Sequence, residues 1–486
     1  TLAKPTNFVM LFADDLGYGD LGSFGHPTIR TPNLDKMASE GMKLTSWYSG
    51  APVCSPSRAA LMTGRHFVRS GIYPGVLRCD SKLGLPLNET TVAQLLTDQG
   101  YKTMAVGKWH LGQRPEYLPT RRGFGEYVGV PYSVDMGSTP HGDCGDKACP
   151  YLPLLHNETV IEQPVDMETL SETYANAATS FIEKNKDSPF FLYVAFSHVH
   201  VSVASWPQYA GPDFFGKSPR GTFGDATSEM DWVAGQVLSK LDTLGLANDT
   251  LVMFTSDNGP WLTKDVQGGS SGLFTGTWAG IHDNYTDTGK GSTWEGGVRE
   301  PAIARWPGRI APASVSTEIV SSLDVLPTIA SLVGMPLPNA TIDGRDMSSI
   351  LFATGTSLHE YLAIWRTREP ITIGAMRHGP WKAHFITQSG YGKDEPLVHD
   401  PPLLFNVDQD PSEKFPVSPE SQPAVIQGFQ TALKQALQDT PMMQSQTSEV
   451  DPDSIVCQRT PVSECFPPHA LPAPGTVSIA ALPMNH

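Results

Sequence analysis

The sequence predicts an α/β fold in which a large mixed, mostly parallel sheet flanked by helices precedes a smaller C-terminal α+β domain. Three observations predict this fold. Short continuous apolar runs recur along the chain, helical patterns alternate with them, and short strands with turns replace this pattern after about residue 353. Alternating strands and helices are typical of a parallel sheet covered on both faces. We therefore predict two domains, residues 1–353 and residues 354–486.

Four apolar, β-rich runs predict the buried strands of the large sheet. They cover residues 7–12, 102–106, 190–196 and 251–255. Each run ends in a polar cluster, and these clusters are Asp14-Asp15, Lys108-Trp109-His110, His198-Val199-His200 and Asp257-Asn258-Gly259. Because ligands bind at the carboxyl ends of the strands in such sheets, we predict that the clusters form one site.

Helical patterns fill the intervals between these strands. Apolar residues recur at helical spacing in residues 33–40 and 91–99, and longer amphipathic patterns cover residues 167–184 and 230–241. Gly100 and Gly245 favour helix ends.

The C-terminal part predicts a small antiparallel sheet with one helix. The predicted strands are residues 361–365, 371–376, 381–387 and 402–405, and the helix covers residues 423–437. Residues from 440 onward are rich in Pro, Ser and Thr, which predicts an irregular tail on the surface.

Size and charge exclude several classes of protein. The chain has 486 residues, 40% of them hydrophobic. Single hydrophobic cores usually stop growing at roughly 250–300 residues, so this length predicts two domains or one large domain with an appendage. Its formal net charge of -16 argues against nucleic acid as a partner. No run reaches the ~18 apolar residues of a membrane helix. No charged and apolar leader precedes the first strand, so we expect that any signal peptide has been removed.

Five Asn-X-Ser/Thr sequons predict passage through the secretory pathway. Their asparagines are Asn88, Asn157, Asn248, Asn284 and Asn339. The alternative is chance occurrence. We expect a glycoprotein that is secreted or lysosomal.

The segment Cys54-Ser-Pro-Ser-Arg58 predicts the start of a helix with an anion-binding end. Pro56 suits a first helical turn, and the free N–H groups there favour an anion. Arg58 follows one turn later and can reach back to residue 54. The alternative is a buried structural cysteine at a helix start.

Six cysteines leave the disulfide connectivity open. Cys144 with Cys149, and Cys457 with Cys465, are candidate local pairs, which leaves Cys79 with Cys54. If Cys54 is catalytic, we expect Cys79 to be an odd thiol.

Asp14, Asp15, Asp257 and Asn258 offer four oxygen donors from two strand ends. Hard cations prefer such donors, so we predict Ca²⁺, with Mg²⁺ as the alternative, and an oxygen on residue 54 would join the shell. No His and Cys set has zinc spacing. Taken alone, each acidic pair is also typical of a turn or a helix cap.

Cationic residues complete the candidate site. They are Lys108, His110, His200 and Lys290. Lysines can hold the oxygens of an anionic ester, and a histidine can protonate the leaving oxygen. Taken singly, each is also typical of a structural histidine or a surface lysine.

The chain resembles the type I, formylglycine-dependent sulfatases over residues 7–404. The Cys54 segment and its extension to Arg65 carry the resemblance, together with residues 12–22, 106–112, 254–260 and 289–301, in the same order. Residues 132–135, 323–328 and 337–344 resemble the arylsulfatase A-like branch.

The resemblance implies an alkaline-phosphatase-like fold and hydrolysis of sulfate monoesters, on aromatic or sugar hydroxyls. It implies that a formylglycine-generating enzyme converts Cys54 to formylglycine during export, and that the aldehyde hydrate is the nucleophile. The remaining implied roles are metal binding by Asp14, Asp15, Asp257, Asn258 and residue 54, support of the hydrate by Arg58 and His110, sulfate binding by Lys108, Ser133 and Lys290, and proton donation by His200.

Two other functions are alternatives. One is a phosphodiesterase or phosphonate hydrolase of the same superfamily, and the other is a matrix or storage protein that keeps the fold without turnover. The presence of every expected catalytic side chain argues against the second. The sequence does not decide the physiological substrate, or between a monomer and a homo-oligomer.

Overall fold

A large mixed sheet forms the centre of the molecule. The computed structural model describes residues 6–137, 149–201, 210–457 and 465. Within them the large sheet has 11 strands in the order β10-β2-β9-β8-β1-β7-β3-β4-β5-β6, with β11 also paired to β2. Its strands are β1 (Asn7–Ala13), β2 (Met42–Tyr48), β3 (Lys102–Gly107), β4 (Glu126–Gly129), β5 (Leu154–His156), β6 (Thr159–Glu162), β7 (Phe190–Ala195), β8 (Thr250–Ser256), β9 (Arg299–Arg305), β10 (Ser314–Ser316) and β11 (Val320–Ser321).

The helices alternate with these strands along most of the chain. They are α1 (Pro32–Ser39), α2 (Cys54–Thr63), α3 (Phe67–Ser70), α4 (Val92–Asp98), α5 (Leu170–Lys184), α6 (Thr222–Thr243), α7 (Thr277–His282), α8 (Glu295–Val298), α9 (Val325–Val333), α10 (Ser348–Leu351) and α11 (Pro423–Asp439). Among the described residues, none of the helices is both long and apolar enough to cross a bilayer.

The four predicted apolar runs form β1, β3, β7 and β8, which lie side by side and run parallel. Both faces of these strands are buried because successive side chains point to opposite sides. In β1, Phe8 and Met10 pack in one core, and Val9 and Leu11 pack in the other. The predicted α/β fold with a buried, mostly parallel centre is confirmed.

Two layers of helices cover the sheet. One core contains residues of α1, α5 and α6, such as Met37, Phe181 and Val233. The opposite core contains residues of α2, α4, α9 and α10, such as Leu61 and Leu326. The carboxyl ends of the central strands are therefore held from both sides.

The sequence analysis predicted a mixed sheet, which is confirmed, but it did not locate the antiparallel strands. Strand β9 pairs antiparallel with both β8 and β2, so the sheet is mixed. The sequence of β9 contains Arg299, Glu300 and Arg305, which interrupt the apolar run although every residue of the strand is buried. Helix α6 also starts earlier than predicted, because its first turns bury small and polar residues such as Gly224 and Asp225.

A second, four-stranded antiparallel sheet follows in the order β12-β13-β14-β15. Its strands are β12 (Leu362–Trp365), β13 (Ile373–His378), β14 (Trp381–Thr387) and β15 (Leu397–Asn406). Helix α11 packs on it through Ile426 and Phe429. This confirms the predicted C-terminal sheet with one helix, while the boundary at residue 353 stays a prediction.

Buried ion pairs join the small sheet to the large domain. Lys382 of β14 lies 3.0 Å from the carboxylate of Glu295 at the start of α8, and 3.1 Å from that of Glu413. Glu413 also accepts a hydrogen bond of 2.7 Å from the backbone N–H of Glu295. All three side chains are fully buried. The small sheet therefore supports the start of α8.

One predicted disulfide is confirmed and another is wrong. Cys457 pairs with Cys465, but Cys149 pairs with Cys79 across 70 residues of sequence. Cys79 is therefore not an odd thiol, and Cys144 lies outside the described residues. Among the described cysteines, Cys54 is the free one. Spacing could not reveal the Cys79 pair because the tertiary fold brings these two loops together.

Candidate active site

Cys54 lies at the start of α2, as predicted, and is only 1% exposed. Helix α2 ends at Gly64, which has a φ of 66° and donates its N–H to the carbonyl of Ala60. The Cys54 Sγ lies 3.5 Å from Asp14 Oδ1 and 3.9 Å from Asp15 Oδ1. The helix N-terminus thus directs residue 54 at the acidic cluster.

The two acidic pairs meet because their strands are neighbours. Strands β1 and β8 pair in parallel with Ala13 opposite Ser256, so the residues that follow them lie side by side. Asp15 donates its backbone N–H to Asp257 Oδ1 at 3.2 Å, and Asn258 Nδ2 donates to Asp15 Oδ1 at 2.8 Å. The structure therefore brings together all four predicted oxygen donors.

Two lysines reach the same carboxylates from other strands and loops. Lys108 follows β3, and its Nζ lies 2.6 Å from Asp14 Oδ2 and 3.2 Å from Ser133 Oγ. The Nζ of Lys290 lies 2.7 Å from the Asp15 carboxylate. Both lysines are buried, so their charges face the site rather than solvent.

Arg58 is fixed behind residue 54. Its Nε and one terminal nitrogen lie 2.9 Å and 2.8 Å from Asp257 Oδ2. Another nitrogen donates to the carbonyl of Lys108 at 2.8 Å. This geometry holds the guanidinium rigidly, one helical turn from residue 54.

The two candidate histidines occupy different environments. The Nε2 of His200 lies 3.1 Å from Lys290 Nζ and 3.5 Å from Asp15 Oδ2, and its Nδ1 lies 3.0 Å from the carbonyl of Val201. His110 Nε2 contacts the carbonyl of Leu77 at 2.8 Å, and among the described residues its buried Nδ1 has no hydrogen-bond partner.

Burial and mutual charge shift the pKa values of the site. Burial raises the pKa of the Cys54 thiol well above its usual value, and Lys108 and Lys290 offset only part of this, so the thiol is neutral. A neutral thiol is a poor nucleophile. Burial also lowers the pKa of His110 far below its usual value, and Lys108 and Arg58 add to this effect. His110 is therefore neutral.

The carboxylates respond in opposite directions. Burial favours protonation of Asp14, but Lys108, His200 and Arg58 outweigh it and hold its pKa below the ordinary value. Burial and the neighbouring charge of Asp14 raise the pKa of Asp257. Asp14 is therefore a charged acceptor beside residue 54, and Asp257 is a more basic acceptor beside it.

The donor set fits a hard divalent cation. Candidate ligand atoms of Asp14, Asp15, Cys54 and His200 all lie within 4.8 Å of one another. His200 was predicted as an acid and not as a ligand. Asn258 Oδ1, from the predicted set, is buried without a hydrogen-bond partner among the described residues. Carboxylate and amide oxygens in this arrangement suit Ca²⁺ or Mg²⁺.

Comparison with known proteins identifies the family. Residues 6–335 match the family model described as Sulfatase. The chain belongs to the sulfatase family. Residues 357–467 of this sulfatase also match the C-terminal region of aryl-sulfatase. Membership makes it a sulfuric ester hydrolase, and the alternative of a fold kept without turnover loses its support.

Relatives and solved structures agree with this assignment. Arylsulfatase A of Homo sapiens is 44% identical, covering 85% of this chain and 83% of its own length. Arylsulfatase G of Mus musculus is 39% identical, covering 94% and 92%. The crystal structure of PsFucS1 sulfatase from Pseudoalteromonas sp. is similar with a TM-score of 0.76 and 29% identity, covering 90% and 92%. The structure of Ps i-CgsB is similar with a TM-score of 0.74 and 28% identity, covering 92% and 95%.

The sequence analysis missed three residues near the site of this sulfatase. The ring centroid of Trp261 lies 4.6 Å from Lys290 Nζ, and Tyr391 packs on Trp261 at 4.9 Å. Glu300 is buried, and neither carboxylate oxygen has a hydrogen-bond partner among the described residues. Burial, together with Asp257 and Asp15, raises the pKa of Glu300 well above its usual value. Trp261 carried a signal because it closely follows Asp257, and Glu300 because it lies within residues 289–301, which carry the resemblance.

Proposed function

We propose that this sulfatase hydrolyses sulfate monoesters, including aryl sulfates and sulfated sugars, through a formylglycine made from Cys54. The observation that carries the proposal is the convergence of four strand ends on the start of α2. There Cys54 Sγ lies 3.5 Å from Asp14 Oδ1, and Lys108 and Lys290 point their ammonium groups at the same carboxylates.

We assign the metal to the oxygens of Asp14, Asp15, Asp257 and Asn258, with Ca²⁺ as the ion and Mg²⁺ as the alternative. When bound, the cation would stabilise negative charge on the reacting oxygens. The Oδ1 of Asn258 has no hydrogen-bond partner in the described part of the chain, and it supports this assignment because a buried polar atom without a partner is unfavourable. Lys108 and Lys290 contact two of the carboxylates that would hold the cation, so their ammonium groups lie beside the place where the substrate anion would bind.

We assign the nucleophile to residue 54. As an aldehyde hydrate it would supply two hydroxyls on one carbon, one to attack sulfur and the other to expel sulfate. Arg58 keeps the residue oriented, because Asp257 and the Lys108 carbonyl fix its guanidinium. Asp257, whose pKa is raised by burial, is the group that accepts the proton of the attacking hydroxyl. Neutral His110 also supports the hydrate at residue 54.

Lys108, Ser133 and Lys290 hold the sulfate oxygens in this assignment. Lys108 Nζ already lies 3.2 Å from Ser133 Oγ, so the two donors are preorganised on one side. The Nζ of Lys290 contacts the other metal-binding carboxylate, that of Asp15. Donors fixed in a buried site stabilise developing charge without reorganisation.

His200 protonates the leaving oxygen. Its Nδ1–H donates to the Val201 carbonyl, which fixes the ring and directs Nε2 at Lys290 and Asp15. In the neutral ring Nε2 accepts from the Lys290 ammonium, so His200 gives a proton to the ester oxygen from Nε2 only as the doubly protonated imidazolium.

We also propose export as a glycoprotein, to the lysosome or the exterior, with a formylglycine-generating enzyme as a transient partner. Four sequon asparagines, Asn88, Asn248, Asn284 and Asn339, are exposed. Asn157 is half-buried, and its Oδ1 accepts the N–H of Tyr127 at 2.9 Å. Glycosidase treatment of protein from a secretory host should lower its mass.

A combined measurement tests the function. Peptide mass spectrometry of secreted protein should show the aldehyde at residue 54, and the same preparation should hydrolyse 4-nitrophenyl sulfate faster than 4-nitrophenyl phosphate. An unmodified Cys54 in fully active protein would contradict the nucleophile. Faster hydrolysis of the phosphate would contradict the substrate class.

A further inference from the structure

A cavity of about 440 Å³ adjoins the proposed sulfate pocket. The segments that follow β8 and β14 form much of its wall. Its lining includes Trp261, Lys264, Asp287, Tyr391, Lys393 and Asp394.

The cavity lies on the leaving-group side of the site. The ring of Trp261, which lines it, lies 5.7 Å from the ring of His200 and 4.6 Å from Lys290 Nζ. His200 is the residue assigned to protonate the leaving oxygen. The alcohol part of a substrate whose sulfate sits at Lys290 would therefore extend along Trp261 into the cavity.

Two buried polar atoms of the cavity residues lack protein partners within the described ranges. They are Nε1 of Trp261, which is 8% exposed, and Oδ1 of Asp287, which is 7% exposed. The other oxygen of Asp287 accepts the backbone N–H of Tyr391 at 2.7 Å. An unpaired buried polar atom is unfavourable, so a ligand that pairs both atoms gains affinity here.

The polar chemistry of the lining matches a sugar ring. The indole N–H can only donate, and the carboxylate oxygen can accept, which suits two hydroxyls of one ring. The faces of the Trp261 ring are already occupied by Tyr391, at 4.9 Å between centroids, and by Lys264 Nζ, at 4.2 Å from the centroid, so the indole N–H is the group left for a ligand. Two lysines and two aspartates line the cavity, so its formal charge is balanced.

We propose that Trp261 and Asp287 form a subsite for the neutral sugar ring that carries the sulfate. The inference rests on the proposed function, because it places the sulfate at Lys290. Trp261 Nε1 donates to one ring hydroxyl, and Asp287 Oδ1 accepts from another. The balanced charge disfavours a second sulfate on the same ring.

Paired substrates and conservative variants test the subsite. Trp261→Phe keeps an aromatic ring without the N–H, and Asp287→Asn keeps an oxygen for the Tyr391 N–H. The substrates are 4-nitrophenyl sulfate and a panel of methyl hexosides with a single sulfate at position 3, 4 or 6. We expect each variant to lower the ratio of kcat/KM for the best sugar sulfate to that for the aryl sulfate at least tenfold, about 1.4 kcal/mol.

Matched controls make the same changes outside the cavity. Trp278→Phe alters an equally buried tryptophan, and Asp283→Asn alters a nearby carboxylate, and neither should change the ratio. Melting temperatures of all four variants show whether each is folded. An unchanged ratio in folded Trp261→Phe and Asp287→Asn would overturn the subsite.

Wild-type rates separate this inference from the proposed function. Hydrolysis of the aryl sulfate with none of the hexoside sulfates would overturn the subsite and leave the sulfatase mechanism standing. Faster hydrolysis of a hexoside with two sulfates than of its monosulfated counterpart would overturn the neutral-ring assignment alone. Hydrolysis of neither class would overturn both.

Discussion

The Nζ of Lys290 lies 2.7 Å from the carboxylate of Asp15, in the interior of the protein. Coulomb attraction at this distance is strong because water screens buried charges poorly. The pair links the loop before α8 to the end of β1. Activity and stability measurements on a Lys290 variant can therefore distinguish a catalytic role of this residue from a structural one.

Lys290→Ala should lower kcat for an aryl sulfate at least 100-fold, on the scale of ~3 kcal/mol for one preorganised donor. In the presence of Ca²⁺ the melting temperature should stay close to wild type, because the cation compensates Asp15. Steady-state kinetics and calorimetry on the same preparation check this, and Lys102→Ala is an exposed control. A destabilised variant with normal specific activity would assign Lys290 to structure.

Removal of divalent metal should abolish activity. We expect Ca²⁺ or Mg²⁺ to restore it, and the ion that binds should raise the free energy of unfolding by about 2.7 kcal/mol at a hundred times its Kd. Differential scanning calorimetry with each ion measures this independently of turnover. Asp15→Asn should weaken the stabilisation, whereas exposed Asp213→Asn should not. Full activity of demonstrably metal-free protein would refute the metal site.

Cys54→Ser should release at most one phenol per active site from an aryl sulfate. Serine offers one hydroxyl to attack sulfur but lacks the second hydroxyl of a hydrate, so sulfate should remain on residue 54. Rapid-quench kinetics and intact mass detect the two products. Cys54→Ala, with no hydroxyl, should give no burst. Sustained turnover by the serine variant would exclude the hydrate mechanism.

Asp231 should make stability depend on pH. It accepts the backbone N–H groups of Asn33 and Leu34 at the start of α1. Burial nevertheless raises its pKa to about 6. Since an unfolded aspartate titrates near 3.9, the folded state holds the proton more tightly. This contribution is complete below about pH 4 and is lost as the pH rises through 6.

Urea unfolding of wild type and Asp231→Asn at pH 4.5 and 7.5 checks this sign. The stability of wild type relative to the variant should be greater at pH 4.5. Exposed Asp213→Asn is the control and should show no such trend. A greater relative stability of wild type at pH 7.5 would contradict the raised pKa.

The sequence predicted the parts of the site that follow regular strands. Asp14, Asp15, Asp257 and Asn258 come directly after apolar runs, and adjacent parallel strands must bring such residues to one edge. Helix α2 could also be predicted, because Pro56 and the following small and apolar residues define its start. Local patterns alone were enough to predict that these residues lie together, and the structure places them there.

Other features depend on contacts between distant segments, and local patterns do not encode them. Tyr391 reaches Trp261 only because the loop after β14 lies against the segment that follows β8, and Cys79 finds Cys149 only through the tertiary fold. The sequence of β9 does not reveal that the strand is buried, because it contains charged residues, of which Arg299 pairs with Glu295. The assigned roles of the site residues stay predictions.

The buried contacts of Lys382 with Glu295 and Glu413 have a consequence for the order of events during synthesis. Two of these three residues belong to the last quarter of the chain, yet they hold the start of α8, close after Lys290. We therefore expect that the start of α8 gains this support only after Glu413 has been made. The segment that carries Lys290 would then reach its final position later than the central strands.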